Sequence, residues 1–205
     1  MLEALAEYGA PNLRSWANRT IRPQPRTVRP TEDEARRCLA CGDLGLRWVL
    51  TCALDVGLRH QTAIGLTPRK LLTGKIVTAT KRGRVVTLPI TPRIRDLIEL
   101  ARPYVGEEDV RFVDLLNNRR AVQGKHTIGE RWVRWKKQVG LRPDLRIHDL
   151  RRDAAHRVYE ASKDVRQVQG LLGHEKPITT LQYLHIASPQ VEAESVTKSL
   201  IKEVA

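Results

Sequence analysis

Six polar side chains spread along the chain could act together on one anion: Arg59, Lys81, His148, Arg151, His174 and Tyr183. A phosphodiester carries a delocalised negative charge that grows on its non-bridging oxygens during in-line displacement. The planar donors of arginine fit that charge. Two arginines and an imidazole would form such a clamp. A tyrosine phenol can attack phosphorus if a neighbour accepts its proton, and a lysine can protonate the departing oxygen. That chemistry requires no metal, and the sequence shows no Asp/Glu cluster of the kind two-metal nucleases use. Singly, each residue has a plainer reading. Arg59 could cap a helix dipole, Lys81 could be a solvated turn residue, and His148 with Arg151 a surface cation pair. His174 could be an ordinary cap residue, and Tyr183 an amphipathic packing residue.

The elements that must hold these groups can be read from period and punctuation. Thr31 followed by Glu34 has capping-box spacing and opens a helical pattern through Cys38; a second apolar segment runs from Leu44 to Leu58, just before Arg59. Lys75 to Thr80 and Arg84 to Leu88 are β-rich runs around Lys81-Arg82-Gly83, the composition of a hairpin turn, closed by Pro89. Asp109 to Val113 is expected to add a third short strand. The helical period returns over Pro92–Arg102, Thr127–Val139, Asp149–Ala161, Asp164–Leu172, Thr179–Ala187 and Pro189–Val204. His148 and Arg151 stand three apart at a helix start and share a face, with Leu150 and Ala154 turned to the core. Gly173 is placed to cap a helix and leave His174 in the following turn. The expected fold is α+β, mainly helical, with a small three-stranded antiparallel sheet.

Composition narrows the partners. The 205 residues include 36 Lys and Arg against 23 Asp and Glu, a formal net charge of +13. The sequence pI is near 10.2. A polyanion is the expected partner. No stretch reaches the roughly 18 to 20 apolar residues of a membrane span, and the amino terminus lacks a basic n-region, so a soluble intracellular protein is expected. Three cysteines, with only one CxxC pair at Cys38 and Cys41, argue against a disulfide framework or a zinc site.

In their order and spacing these motifs resemble the catalytic domain of the tyrosine recombinase, or phage integrase, family. The resemblance runs from about Thr31 to Ala187. It is carried by Gly57-Leu58-Arg59, the hairpin Thr80-Lys81-Arg82-Gly83-Arg84 leading to Leu88-Pro89, His148-Asp149-Leu150-Arg151, Leu172-Gly173-His174, and Tyr183. It implies that Arg59 and Arg151 clamp the scissile phosphate. His148 would assist proton transfer, His174 would hydrogen-bond a phosphate oxygen, and Lys81 would be the general acid. Tyr183 would attack, forming a 3′-phosphotyrosine and freeing a 5′-hydroxyl, without ATP, metal or other cofactor. One departure is Thr62, where family members commonly carry an acidic residue. A silent DNA-binding remnant and a type IB topoisomerase-like nicking-closing enzyme are the alternatives.

The remaining expectations concern the ends and the DNA-facing surface. Residues 1–30, with prolines at 23, 25 and 30, look like the tail of a core-binding domain plus a basic linker, and residues 31–187 like the catalytic domain. Residues 188–205 have the pattern of a terminal helix with Val196, Leu200 and Val204 on one side. By the resemblance, that helix could dock on a neighbouring protomer in a tetramer on DNA; packing on its own domain is the other reading. Arg82, Arg84, Arg131, Arg134 and Lys136 are the candidate DNA contacts, with Trp132 and Trp135 assigned to the core.

Overall fold

The computed structural model describes residues 26–71, 74–79, 83, 85–101, 109–117 and 127–184. The hairpin tip with Lys81, Arg82 and Arg84, and the helix expected over 189–204, lie outside the described residues.

The chain enters through an extended segment and turns into α1 (Glu32–Leu39), where Thr31 and Glu34 form the expected capping box. Next, α2 (Leu44–Val56) starts at Asp43, whose side chain accepts from the Leu46 amide, and ends at Gly57 with φ 62°. Glycine suits that position because its backbone is left-handed, which L side chains rarely adopt. Ten of the thirteen residues of α2 are buried, so it is the central rod on which the other helices pack. Its Trp48 stacks on Phe112 at 4.6 Å and donates to the Ala63 carbonyl at 2.9 Å.

A short α3 (His60–Ile64) and a 3₁₀ turn at Pro68–Leu71 lead to the sheet. It pairs β1 (Lys75–Ala79) antiparallel with β2 (Val85–Pro89), Val77 opposite Thr87. Only Ile76 and Leu88 are buried, so one face of the hairpin sits on the core. Then come α4 (Pro92–Ala101), α5 (Phe112–Leu115) and α6 (Ile128–Gln138). The long α7 (Ile147–Ser162) packs along α2 and is followed by α8 (Val165–Leu172) and α9 (Pro177–Leu184).

The fold is thus the expected helical one with a small antiparallel sheet, but 109–113 is not a third strand: among the described residues the sheet has two. Phe112 to Leu115 are all buried. A half-exposed strand buries alternate residues, whereas a helical turn lodged between α2 and α4 can bury all four. The Phe112 amide anchors it on the Leu66 carbonyl at 2.9 Å.

Cys38, Cys41 and Cys52 are free and fully buried. Loss of hydration pushes the thiols of Cys38 and Cys41 up to about 12 and about 11, which keeps them protonated. Among the described residues no helix is long and apolar enough to cross a membrane.

Candidate active site

Five of the six predicted catalytic side chains converge where α2, α7 and α8 end or begin; the sixth, Lys81, lies outside the described residues. Arg151 is the centre. It projects from the second turn of α7 and is only 3% exposed. One terminal nitrogen donates to the Gly57 carbonyl and the other to the Leu172 carbonyl, at 2.9 Å for the second. Both acceptors are at helix carboxyl ends capped by left-handed glycines, Gly57 and Gly173. The glycine caps leave those carbonyls unpaired within their helices and at the negative end of each dipole, so a guanidinium satisfies both. Its Nε has no hydrogen-bond partner. Burial, then the nearby Arg59, pull the Arg151 guanidinium down to about 10.

The same two caps deliver the neighbours. Directly after Gly57 and Leu58, Arg59 adopts extended backbone before α3 and is half-buried. It shares with Arg151 a narrow cleft between the hairpin and α8, walled by Thr62, Val86, Leu88 and Leu171. Neither Arg59 nor Arg151 has a carboxylate partner among the described residues. Directly after Gly173, His174 is buried, and its Nδ1 lies 3.0 Å from the Thr180 hydroxyl at the base of α9.

Tyr183, half-buried on α9, lies between the two histidines. Its hydroxyl is 3.3 Å from His148 Nε2. The His148 and His174 rings stand nearly perpendicular to it, at 5.7 Å and 5.6 Å between centroids. Loss of hydration and the charges of Arg151 and Arg152 pull His148 down to about 4. The residue as a whole remains exposed to solvent. Burial, Arg151 and Arg59 pull His174 down to about 4 as well. Both rings are therefore neutral near pH 7. Burial raises the Tyr183 phenol, partly offset by Arg151, Arg152 and Arg59.

Two site residues escaped the sequence reading. Thr180, 0% exposed, orients His174; its signal was available in the helix period, which puts it on the inner side of α9 beside Leu184. Arg152, 7% exposed, sits with its guanidinium 5.1 Å from the centre of the Tyr183 ring. Nothing in the local sequence separates it from a surface arginine.

The DNA-contact candidates divide differently. On α6, Arg131 pairs with Asp43 at 3.1 Å and Lys136 donates to the Leu145 carbonyl at 3.0 Å, so both also tie the helix to its own domain. Arg134 is exposed. Trp132 is buried and Trp135 half-buried, as expected of core residues.

The helical scaffold that carries this pocket belongs to a known class. Residues 31–189 match the model of the phage integrase family, and the chain belongs to that family. It is 29% identical over 146 residues to the tyrosine recombinase XerC of Salmonella typhi, an alignment covering 68% of this chain and 48% of that one. The chain thus spans about half the length of that relative. Among solved structures, the catalytic domain of the bacteriophage HP1 integrase superposes with TM-score 0.57 at 17% identity, covering 82% of this chain and 93% of that domain. The Tn1549 transposon integrase, in complex with transposon right end DNA, superposes with TM-score 0.61 at 15% identity, covering 89% and 68%. At these identities the structural likeness bears on the fold.

Proposed function

We propose that this chain breaks and rejoins duplex DNA through a 3′-phosphotyrosine, with residues 31–187 as the catalytic unit. The observation that carries the reading is the position of the Tyr183 hydroxyl, 3.3 Å from a neutral imidazole and beside two arginines that lack carboxylate partners among the described residues. Cations crowded in a half-buried pocket without counter-charge favour an anion there, and the scissile phosphate supplies it.

In this reading Arg59 and Arg151 bind the non-bridging oxygens and stabilise the charge that grows on them. His148 Nε2 accepts the phenol proton as the Tyr183 oxygen forms its bond to phosphorus. His174, kept in orientation by Thr180, donates to a phosphate oxygen. The bond from phosphorus to the 5′ oxygen breaks, and Lys81 at the hairpin tip protonates the departing oxygen. Reversal by the 5′-hydroxyl of a second strand completes strand transfer, so the phosphodiester energy is held in the tyrosyl ester. Arg82, Arg84, Arg131, Arg134 and Lys136 are assigned to the DNA-facing surface, and a tetramer on DNA to the working assembly.

Covalent trapping tests this. The protein is incubated with a library of nicked duplexes that cannot religate, and adducts are resolved on a denaturing gel. An adduct with the wild type that is absent with Tyr183→Phe is the expected result. An adduct that survives in Tyr183→Phe overturns the assignment of the nucleophile.

A further inference from the structure

Immediately after the phosphate-clamp candidate Arg151 comes a second buried arginine that needs its own account. Its side chain is 9% exposed, and it reaches Asp149 at 3.5 Å. Its Nε makes no hydrogen bond, and the terminal nitrogen that reaches Asp149 is held by charge without hydrogen-bond geometry. A buried guanidinium that leaves donors unsatisfied costs stability unless it is held for another purpose. What it does touch is the face of Tyr183, at 5.1 Å.

We propose that Arg152 is a positioning residue for the nucleophile, holding the Tyr183 ring by its face and stabilising the phenolate that forms as the hydroxyl attacks. This rests on the phosphotyrosine reading of the site.

The ring geometry supports it. The His148 and His174 rings stand nearly perpendicular to Tyr183, while the Arg152 guanidinium lies over the ring itself, placed to fix its tilt. A guanidinium prefers that face because the aromatic quadrupole is negative there. As the phenol proton departs, negative charge develops on the ring and its oxygen, and a cation over the ring gains attraction at that moment. Arg152 therefore acts more strongly on the attacking state than on the resting one.

Arg152 is in turn fixed from behind. Asp149, 1% exposed, accepts from the Arg146 amide at 2.9 Å and from Arg26 of the entering segment at 2.9 to 3.1 Å. An aspartate tied at its other oxygen-bonding sites is a rigid seat for the guanidinium. Among the described residues, the charged and titratable groups that face Tyr183 are Arg59 from the α2–α3 corner, His148, Arg151 and Arg152 from α7, and His174 from the turn after α8. Of these, Arg152 has the ring-face contact.

Single-turnover capture of the nicked duplex recovered by the wild type provides the first test. Arg152→Gln is expected to lower the capture rate at saturating DNA about tenfold, with half-saturation within about twofold of wild type. Arg152→Lys should recover most of the rate, since it keeps the cation. A rate unchanged in Arg152→Gln, or a loss that falls on half-saturation instead, overturns the proposal in favour of no role or of direct phosphate contact.

A DNA-free arm separates this from failure of the parent reading. The phenolate absorbance of Tyr183 is isolated by subtracting Tyr183→Phe from its parent, over the pH range in which circular dichroism shows the chain folded. Arg152→Gln should raise the Tyr183 midpoint and Arg152→Lys should leave it near wild type. An unmoved midpoint in Arg152→Gln sinks the proposal. If the midpoint moves while no protein captures DNA, the phosphotyrosine reading fails and the hold of Arg152 on Tyr183 stands.

Discussion

On the flank of α7 that faces the entering segment, Arg26 and Arg29 meet Asp149, Asp153 and Glu160, and Arg157 adds a second bond to Asp153. On the flank that faces α9, Arg151 and His148 meet Arg59 and His174, with no carboxylate paired to either arginine among the described residues. One helix therefore carries a neutralised side and a side with its charge left over. Paired ions in partly exposed positions contribute modestly to stability. Leftover cations in a pocket cost stability in the empty protein and recover it when an anion arrives. The first flank fixes the helix, and the second gives it something to bind.

Substitutions can break this contrast, and the largest effect falls on the unpaired flank. Tyr183→Phe should abolish covalent capture while leaving the unfolding midpoint nearly unchanged, since only a half-buried hydroxyl is lost; denaturing gels and thermal melts check both. Next in size, Arg151→Lys should slow capture by about a hundredfold or more and lower unfolding free energy by about 2–4 kcal/mol, read by denaturant titration. An ammonium cannot bridge the Gly57 and Leu172 carbonyls together. An unchanged denaturation midpoint would show that those two bonds contribute nothing.

The histidines give the contrast a pH signature. Their folded values near 4 lie below the usual 6.5 of imidazole, so the unfolded chain binds protons that the native one refuses. Stability should fall as pH is lowered from about 6.5 to about 4, by on the order of 2 kcal/mol from the buried His174 alone. Phosphate or sulfate should blunt that fall by partnering the arginines. A stability flat across this window contradicts the crowding argument.

On the paired flank, Asp153→Asn should cost about 1 kcal/mol of stability and leave the capture rate within about twofold. A loss of capture without loss of stability would erase the distinction between the flanks. Smallest of all, Arg134→Ala on the exposed side of α6 should weaken DNA binding a few-fold on every sequence and reduce the salt slope by about one. Loss confined to one sequence would indicate base contact instead.

Much of this was legible in the linear sequence because it depends on local chemistry. Capping boxes, the hairpin composition and the glycines before Arg59 and His174 are short-range signals, and their order along the chain is specific. Side-chain direction was not legible. The bond from Arg151 to Gly57 joins residues 94 apart, and the pairing of Arg131 with Asp43 depends on which face of α6 turns inward. Arg152 and Arg151 are adjacent in sequence, yet one binds carbonyls and the other a ring, a division set by the 100° step of the helix against its neighbours. The strand expected at 109–113 failed for a related reason. The packing between α2 and α4 buries consecutive residues, Phe112 to Leu115, as a helical turn does and a half-exposed strand does not.

Arg151 sews together two helix ends that would otherwise carry unsatisfied carbonyls. A descendant chain that had given up DNA chemistry would still lose folding stability on discarding it, whereas Arg59, which makes no such bond among the described residues, could drift at little cost. In a decaying gene of this fold, the first arginine should therefore vanish before the second.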